Sequence, residues 1–238
     1  MLFTVVTLFP EMFPGPLGQS LLGRNTGKLW DLRTVNIRDF SQNKHNKVDD
    51  TPYGGGAGMV MRPDVVHRAM LHALSFYNNH PKVIFMTPRG KIFNDATARS
   101  IASHNKDGAI ILCGRYEGID QRVIDLWVKE YGMEEISVGD YILFGGEIPA
   151  MIVIEACARF IDGMLGNPDS SEDESFSSGL LEHSHYTKPA NWNNLDVPQI
   201  LMSGNHEAIR KWRYEESLAI TKSRRIDLYE QFLKQSKK

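Results

Sequence analysis

Residues Ser137–Ala150 read SVGDYILFGGEIPA, and this stretch decides the fold of the chain. The residues Glu134–Val138, which lead into it, have the composition of the end of a short strand. The residues Ile148–Ile161 are almost wholly apolar, and Pro149 suits the first turn of a helix, where its missing N–H has no helical partner to lose. Three glycines in the stretch allow positive φ angles and let a ligand approach the backbone closely. The stretch therefore predicts a binding loop between a strand and a buried helix.

Strand-like and helix-like segments alternate along the residues that precede this loop. The predicted strands are Leu2–Leu8, Leu32–Ile37, Lys82–Met86, Ala109–Leu112 and Glu134–Val138. The predicted helices are Pro16–Arg24, Pro63–Tyr77, Asn94–Ser103, Asp120–Val128 and Ile148–Ile161. This alternation predicts an α/β fold with a mostly parallel sheet that is covered on both faces.

Three successive predicted strands each end in a loop that contains glycine. The loops are Thr87–Gly90, Cys113–Gly118 and Ser137–Gly146. In parallel α/β sheets, ligands bind in the crevice beyond the carboxyl ends of the strands. One such loop is also consistent with a simple tight turn, but three loops that converge at one edge favour a ligand pocket.

A further glycine-rich segment, Arg38–Met59, is polar and has no periodicity. Loops of this length inside a compact domain are usually functional or disordered. The acidic pair Asp49 and Asp50 lies close to Tyr53 and four glycines, which is not the composition of low-complexity filler. The pattern therefore favours a loop on the substrate side of the site.

The composition changes after the apolar helix. Residues Asp162–Glu174 combine glycine, proline and an acidic run, which is typical of an interdomain linker, and they lack the central glycine of a calcium-binding EF-hand loop. Periodicity then predicts a small helical domain with helices His206–Ser217 and Thr221–Lys234. Residues 204–238 hold 9 Lys and Arg against 5 Asp and Glu, whereas residues 1–186 hold 17 against 23. A basic tail on an acidic body predicts a polyanionic partner.

The residue pattern argues against several other classes of protein. No apolar run is long enough to span a bilayer, and the first residues lack the basic region and cleavage site of a signal peptide. The segment Gly23–Leu29 is one residue too short for a P-loop, and His183 and His185 have no third ligand at zinc spacing. Cys113 and Cys157 lie among apolar residues, which predicts buried free thiols and a reducing, cytoplasmic location.

Seven blocks of the sequence, taken together and in order, resemble one protein family. The blocks are FPEMF at 9–13, VDDTPYGGGAGM at 48–59, CGRYEGID at 113–120, SVGDYILFGGEIPA at 137–150, SFSSGLLE at 175–182, HYTKP at 185–189 and SGNH at 203–206. From Leu2 to about Arg225, the chain resembles the bacterial tRNA (guanine-N1)-methyltransferases that modify guanosine 37, which belong to the SPOUT superfamily.

This resemblance implies a deep trefoil knot in the parallel α/β sheet domain (the SPOUT methyltransferase fold) and a small all-helical C-terminal domain. It implies a knotted, cofactor-binding methyltransferase domain at residues 1–161, an interdomain linker at 162–176 and a helical tRNA-binding domain at 177–238. It also implies a homodimer with its active sites at the subunit interface, and S-adenosylmethionine bound in a bent shape inside the knot. The cofactor residues that it implies are Thr87, Pro88, Gly114, Tyr116, Glu117, Ser137, Val138, Gly139, Asp140, Tyr141, Ile142, Leu143, Gly145 and Gly146.

The resemblance also assigns the groups that would act on guanine. Guanine N1 carries a proton at neutral pH, so a base must remove that proton before methylation. The family uses an Asp directly before a Ser-Phe pair; here that position is Glu174, with Asp173 before it, and either carboxylate is a candidate. Arg159 matches the family's arginine near the guanine, where it would stabilise charge on O6, although a helical pair with Glu155 is an alternative role.

The remaining predicted substrate contacts lie in the polar glycine-rich segment, at the end of the linker and in the basic tail. The implied tRNA-binding residues are Asp49, Tyr53, Gly54, Gly58, Ser175, Lys211, Arg213, Arg224 and Arg225. Magnesium is implied by the family, but no ligand set is evident in the sequence. Two rival hypotheses remain: a non-catalytic SPOUT-type RNA-binding protein, which the glutamate at the base position favours, and an α/β enzyme that uses another nucleotide.

Overall fold

The computed structural model describes residues 1–103, 107–165 and 174–235. The chain divides into two compact units, residues Met1–Leu165 and Gly166–Lys238. Asp173, one of the two candidate bases, lies outside the described residues. The predicted domain limits at 161 and 176 stay predictions.

The first unit contains a five-stranded sheet with helices on both faces. Its strands are β1 (Leu2–Thr7), β2 (Asp31–Asn36), β5 (Lys82–Ile92), β6 (Ala109–Cys113) and β7 (Glu134–Ser137), and a separate hairpin is formed by β3 (Asp49–Asp50) and β4 (Val60–Met61). Its helices are α1 (Ser20–Arg24), α2 (Pro63–Leu74), α3 (Asp95–Ala102), α4 (Gln121–Tyr131) and α5 (Glu147–Ala158), with 3-10 turns at Pro10–Met12, Gly15–Gly18 and Ile37–Phe40. The sheet order is β2-β1-β6-β5-β7 and its neighbouring strands run parallel, so the predicted α/β fold with a parallel sheet is confirmed.

The central strands are apolar on both sides because each face of the sheet is covered. Phe3 and Val5 of β1 belong to one apolar cluster, together with residues of α3 and α5. Val6 belongs to the cluster on the opposite face, together with residues of α2 and α4. The alternation of successive side chains between two clusters is what a strand in the middle of a three-layer domain requires.

Helix α5 is apolar around most of its circumference. It contains 12 residues and is therefore about 18 Å long. Eight of its residues are buried, including Ala150, Val153, Ile154 and Cys157. Within the described ranges, no helix combines the length and the apolar character that crossing a membrane would need.

Two segments of the first unit differ from the sequence prediction. Strand β5 continues past Met86 to Ile92, and its pairing with β7 is irregular, because Met86 and Lys91 both pair with Ile136. The polar segment after β2 is partly ordered by the β3–β4 hairpin and by the fully buried Val48. Periodicity could not reveal this hairpin because each of its strands has only two residues.

The second unit contains two long helices and a hairpin. Helix α6 spans His206–Arg224, helix α7 spans Ile226–Gln235, a 3-10 turn spans Gln199–Met202, and strands β8 (Asn191–Trp192) and β9 (Leu195–Asp196) pair antiparallel.

Two predictions for this unit were wrong. The domain is not all-helical, since β8 and β9 are joined by Asn193 and Asn194, which both have positive φ angles, as a tight hairpin turn requires. The predicted helix break between Ser217 and Thr221 is absent from α6, because the Thr221 hydroxyl donates to the Ser217 carbonyl at 2.6 Å and accepts from the Leu181 N–H at 2.8 Å. These bonds satisfy a buried threonine inside the helix.

Candidate active site

A cleft of about 680 Å³ lies at the carboxyl edge of the sheet in the first unit. Its walls are formed by the irregular part of β5 and by the loops that follow β6 and β7. The three predicted segments therefore do converge, but the prediction that Thr87–Gly90 is a loop was wrong, because these residues continue β5. The cleft-lining residues include every predicted cofactor residue except Asp140. The structure therefore brings the predicted cofactor residues together at one cleft, although Thr87 and Gly146 are 59 positions apart in sequence.

Glycines let the loops approach one another. A Cβ atom on Gly146 would lie 2.7 Å from the Cα of Cys113, and the Gly146 N–H donates to the Gly114 carbonyl at 3.0 Å. A Cβ on Gly145 would overlap the side chain of Arg115, and a Cβ on Gly90 would overlap the backbone of Ile136. These glycines are required by close backbone packing, which a side chain would prevent.

The loop after β7 presents apolar side chains next to a polar turn. The Ser137 hydroxyl donates to the Gly139 carbonyl at 3.1 Å, and the Tyr141 hydroxyl donates to the Val138 carbonyl at 3.2 Å. Beyond this turn, Ile142 is 81% exposed and Phe144 is 97% exposed. Exposed apolar side chains at the wall of a cleft are typical of a surface that another molecule covers.

The loop after β6 is held against the predicted substrate-side segment. The Glu117 N–H donates to the Met59 carbonyl at 3.0 Å, and the Met61 N–H donates to the Gly118 carbonyl at 2.9 Å. A Cβ on Gly58 would lie 2.5 Å from the Glu117 side chain. The predicted substrate residue Gly58 is therefore adjacent to the cleft. Tyr53 is 98% exposed, and neither Tyr53 nor Asp49 or Gly54 lines the cleft.

A chain of side-chain hydrogen bonds, which the sequence did not predict, lies at the rim of the cleft. Arg89 donates to the side-chain oxygen of Gln121 at 3.0 Å, and the Gln121 amide donates to Asp125 at 2.8 Å. Arg89 and Gln121 both line the cleft. Their separation of 32 positions in sequence gives no periodic signal that could have linked them.

A buried ionic group also escaped the sequence analysis. The carboxylate of Glu147 is fully buried; its Oε2 lies 2.9 Å from Arg115 Nε, and its Oε1 accepts from the Thr7 hydroxyl at 2.7 Å. Burial raises the pKa of the adjacent Cys113 thiol well above its ordinary value, and the negative charge of Glu147 raises it further. The signal was an acidic residue in the first turn of a mostly apolar helix, since buried acids are rare unless they have partners.

Arg159 lies at the C-terminal end of α5 and is exposed. Gly146, at the opposite end of α5, lines the cleft, whereas Arg159 does not. Since a helix rises about 1.5 Å per residue, Arg159 lies about 20 Å from Gly146. Arg159 is therefore not part of the cleft of its own chain.

The other predicted residues belong to the second unit. The backbone carbonyl of Glu174 accepts from the Ser177 hydroxyl at 2.7 Å, and the Ser175 hydroxyl accepts from the Glu182 N–H at 3.0 Å. The predicted phosphate-binding residues are exposed on α6 or just after it: Lys211, Arg213, Arg224 and Arg225. Arg225 forms a two-point ion pair with Asp227, at 2.9 and 2.6 Å, which raises the pKa of Arg225 and lowers that of Asp227.

Among residues 1–103, 107–165 and 174–235, no group of three His, Cys, Asp or Glu side chains lies close enough together to hold a metal ion. The rings of His183 and His185 lie 4.6 Å apart, and His185 contacts Glu182 at 3.2 Å. The described residues therefore provide no ligand set for the magnesium that the family resemblance implies.

A parallel sheet with three glycine-bearing segments around a cleft places the first unit among the α/β enzymes that bind a ligand beyond the carboxyl ends of their strands. A family model described as tRNA (Guanine-1)-methyltransferase TrmD matches residues 1–231. The chain belongs to this tRNA (guanine-1)-methyltransferase family.

Curated relatives match the chain over nearly its whole length. A tRNA (guanine-N(1)-)-methyltransferase of Clostridioides difficile (strain 630) is 49% identical over 231 residues, which cover 96% of this chain and 97% of that protein. Proteins of the same name from Brucella ovis and Brucella suis are each 51% identical over 236 residues, covering 99% of this chain and 94% and 93% of those proteins. These matches confirm the family that the seven sequence blocks resembled.

Proposed function

We propose that this protein transfers a methyl group from S-adenosylmethionine to N1 of guanosine 37 in tRNA, next to the anticodon. The observation that carries the proposal is the cleft formed by the irregular part of β5 and the loops after β6 and β7, in a chain that its family model matches over residues 1–231. The curated relatives bear the name of this reaction without its position in tRNA.

The cleft suits the proposed cofactor in size and lining. Its volume of about 680 Å³ falls within the range of about 300–1,000 Å³ that is usual for small-molecule sites. Glycines in its walls let the ligand approach the backbone closely, and Ile142 and Leu143 provide an apolar wall for the adenine ring. When bound, S-adenosylmethionine would supply a methyl group activated by its positive sulfur.

The protein's own contribution to the reaction is proton removal and charge stabilisation. A carboxylate of Glu174 or Asp173 accepts the proton from guanine N1, which leaves N1 with a lone pair for the new N–C bond. The sulfur of the methyl donor would keep the electron pair of the S–C bond that breaks. Negative charge develops on O6 as the proton leaves, and the guanidinium of Arg159 stabilises it. Glutamate is competent for the base role, although its side chain is one methylene longer than the family's aspartate.

The position of Arg159 supports an active site that two copies of the chain share. Arg159 and the cleft lie at opposite ends of α5, so one chain does not bring them together. The exposed side of α5 carries Ile148 and Ile152, which are 47% and 42% exposed, and then Glu155 and Arg159. If α5 of a second copy runs antiparallel to this helix, the two exposed sides pack together and bury the isoleucines. The same packing brings Arg159 of the partner subunit toward the cleft. An obligate homodimer is therefore part of the proposal.

We infer that the first unit is knotted at the cleft. The register of β5 against β7 shifts between Met86 and Lys91, which both pair with Ile136. Gly90 is in such close contact with Ile136 that a side chain would not fit. The chain then passes from β7 to Gly146, which lies against the end of β6. Tight contacts of this kind support a threaded connection, which most folds avoid.

The second unit is proposed to bind the tRNA. Exposed cations on α6 attract the phosphate backbone and release counterions on binding, so affinity falls with salt concentration. The residues proposed for this role are Lys211, Arg213, Arg224 and Arg225. The proposed cytoplasmic location rests on family membership.

The proposal is tested by mapping the product. Purified protein is incubated with S-adenosylmethionine and an unmodified tRNA transcript that has guanosine at position 37, and the methylated nucleotide is identified by mass spectrometry of nuclease fragments. A transcript with adenosine at position 37 is the matched control. We expect one N1-methylguanosine at position 37 and no methylation of the control. Methylation at another position would contradict the proposed site, and no product at saturating cofactor would favour the non-catalytic RNA-binding alternative.

A further inference from the structure

Glu147 is a fully buried carboxylate at the first turn of α5. A carboxylate in such a position is costly unless hydrogen bonds and an opposite charge compensate for the lost water. Neither the proposed proton transfer nor the proposed tRNA contacts use this residue. Its partners therefore indicate what it does.

The two partners of Glu147 come from distant parts of the chain. The Thr7 hydroxyl, at the end of β1, donates to Oε1 at 2.7 Å. The Arg115 side chain, just after β6, is 19% exposed and approaches Oε2 at 2.9 Å. The Glu147 carboxylate thus links the start of α5 to the end of β1 and to the loop after β6, at the carboxyl edge of the sheet.

Arg115 extends the network into the wall of the cleft. Its guanidinium lies 4.3 Å from the ring centre of Phe9 and donates to the Phe144 carbonyl at 3.3 Å. Its side chain occupies the space in which a Cβ of Gly145 would lie. Phe144 and Gly145 belong to the loop after β7, so the position of Arg115 determines how this loop lies against the loop after β6.

Stability alone does not account for an ion pair at this place. Apolar residues of similar volume often stabilise a buried site as well as an ion pair does, or better. Apolar residues could not, however, donate a directed hydrogen bond to the Phe144 carbonyl. The specific contribution of the ion pair is therefore to fix the position of the Arg115 side chain.

We propose that Glu147 is a positioning residue of the cofactor cleft, which holds Arg115 so that Phe144 and Gly145 are set against the loop after β6. The loops are then shaped before the cofactor binds. The inference rests on the proposed function, since it assumes that the cleft binds S-adenosylmethionine. It adds a role for Glu147, Arg115 and Thr7 that acts through the shape of the cleft, without contact with the methyl group.

The test uses the full-length variants Glu147→Gln and Arg115→Gln, the double variant, and Glu130→Gln as a control on the exposed surface of α4. Calorimetric titration with S-adenosylhomocysteine gives the dissociation constant of each. We expect each single variant to bind at least 10-fold more weakly, and the double variant to bind no more weakly than the worse single one, because both changes break the same pair. At saturating cofactor, kcat and the KM for tRNA of Glu147→Gln should stay within threefold of the wild type, whereas the KM for the cofactor rises.

A general loss of structure would change kcat and both KM values together, so the selective rise in the cofactor KM separates positioning from a merely structural role. A folded Glu147→Gln protein that binds within twofold of the wild type would overturn the inference. If Glu147→Gln does not fold, Thr7→Val replaces it, because it preserves volume and removes one donor; an unchanged dissociation constant in that variant overturns the inference equally. Failure of the wild type to bind S-adenosylhomocysteine would instead overturn the proposed function itself.

Discussion

Gly146 lies directly against the backbone of Cys113, so that a Cβ atom on Gly146 would be 2.7 Å from the Cys113 Cα. This contact joins the start of α5 to the end of β6, and the Gly146 N–H donates to the next residue, Gly114, at 3.0 Å. The loop after β7 can therefore enter the cleft only if position 146 has no side chain.

We expect Gly146→Ala to lower the free energy of unfolding by about 1–3 kcal/mol, because overpacking forces the backbone to shift. Urea denaturation followed by circular dichroism measures the loss. Gly114→Ala is the matched control, since its nearest contact would be an ordinary 3.4 Å to the Phe85 ring. Equal stability of the two variants would show that the close approach is not required.

The identity of the base is decided by two substitutions. We expect Glu174→Gln to abolish turnover and to leave the affinity for S-adenosylhomocysteine nearly unchanged, because the carboxylate acts on guanine and not on the cofactor. Single-turnover methylation of tRNA and calorimetry measure the two effects. Near-normal turnover in Glu174→Gln, together with an inactive Asp173→Asn, would transfer the role to Asp173.

Tyr53 offers a test of the substrate-side loop. Its side chain is 98% exposed, so Tyr53→Ala should leave the free energy of unfolding within about 0.5 kcal/mol of the wild type. If the loop binds tRNA, the same change should raise the KM for tRNA several-fold and leave cofactor affinity unchanged. Leu71→Ala, at a partly exposed position of α2, serves as the control. A normal KM for tRNA in Tyr53→Ala would remove Tyr53 from the substrate site.

The basic surface of α6 predicts a salt effect. Arg224→Gln should weaken tRNA binding and reduce the slope of log K against log salt concentration by roughly 1, which is the effect of one lost phosphate contact. Arg225→Gln should have a smaller effect, because Asp227 already engages this guanidinium at 2.9 and 2.6 Å. Filter binding between 50 and about 300 mM salt measures the slopes. An unchanged slope in Arg224→Gln would contradict phosphate contact by that residue.

Alkaline pH should destabilise the first unit. Burial raises the pKa of Tyr77 from 10.0 to about 12 and that of Cys157 from 9.0 to about 12. Since the folded protein favours the protonated forms, these groups contribute stability that is fully present below pH 9 and is lost as the pH rises from 9 through 12. Urea denaturation at a series of pH values measures the decline.

Tyr77→Phe provides the check on this pH effect. The Tyr77 hydroxyl is 2.8 Å from the Thr4 hydroxyl and donates to the Ala109 carbonyl at 3.0 Å, so its removal should cost about 1 kcal/mol at pH 8. The variant should then lose less stability than the wild type between pH 10 and 12. If the free energy of unfolding falls equally with pH in both proteins, Tyr77 is excluded as a source of the decline.

The residues of the cofactor cleft were largely accessible from the sequence. Glycines at strand ends are a local signal, and the rule that parallel strands present their carboxyl ends at one edge converts that signal into a common site. Leu2–Leu8 and Ala109–Leu112 were recognisable as buried strands because their apolar runs are continuous.

Other features depend on contacts that no local pattern encodes. The β3–β4 hairpin, the β8–β9 hairpin and the continuous helix α6 were missed because a two-residue strand has no periodicity and because Thr221 is satisfied by Leu181, 40 residues away. The partner of Glu147 could not be identified from sequence either, since Thr7 and Glu147 are 140 positions apart.

The sequence by itself determined the family, the parallel α/β sheet and the three glycine-bearing segments at its edge, because hydrophobic periodicity, glycine positions and the seven blocks are local properties of the chain. Only the tertiary structure decided that Arg115 is held between Glu147 and Phe144, and that Arg159 lies at the opposite end of α5 from the cleft. The physical reason is that burial, ion pairing and close backbone contact are made between residues far apart in sequence, and they exist only when the chain is folded.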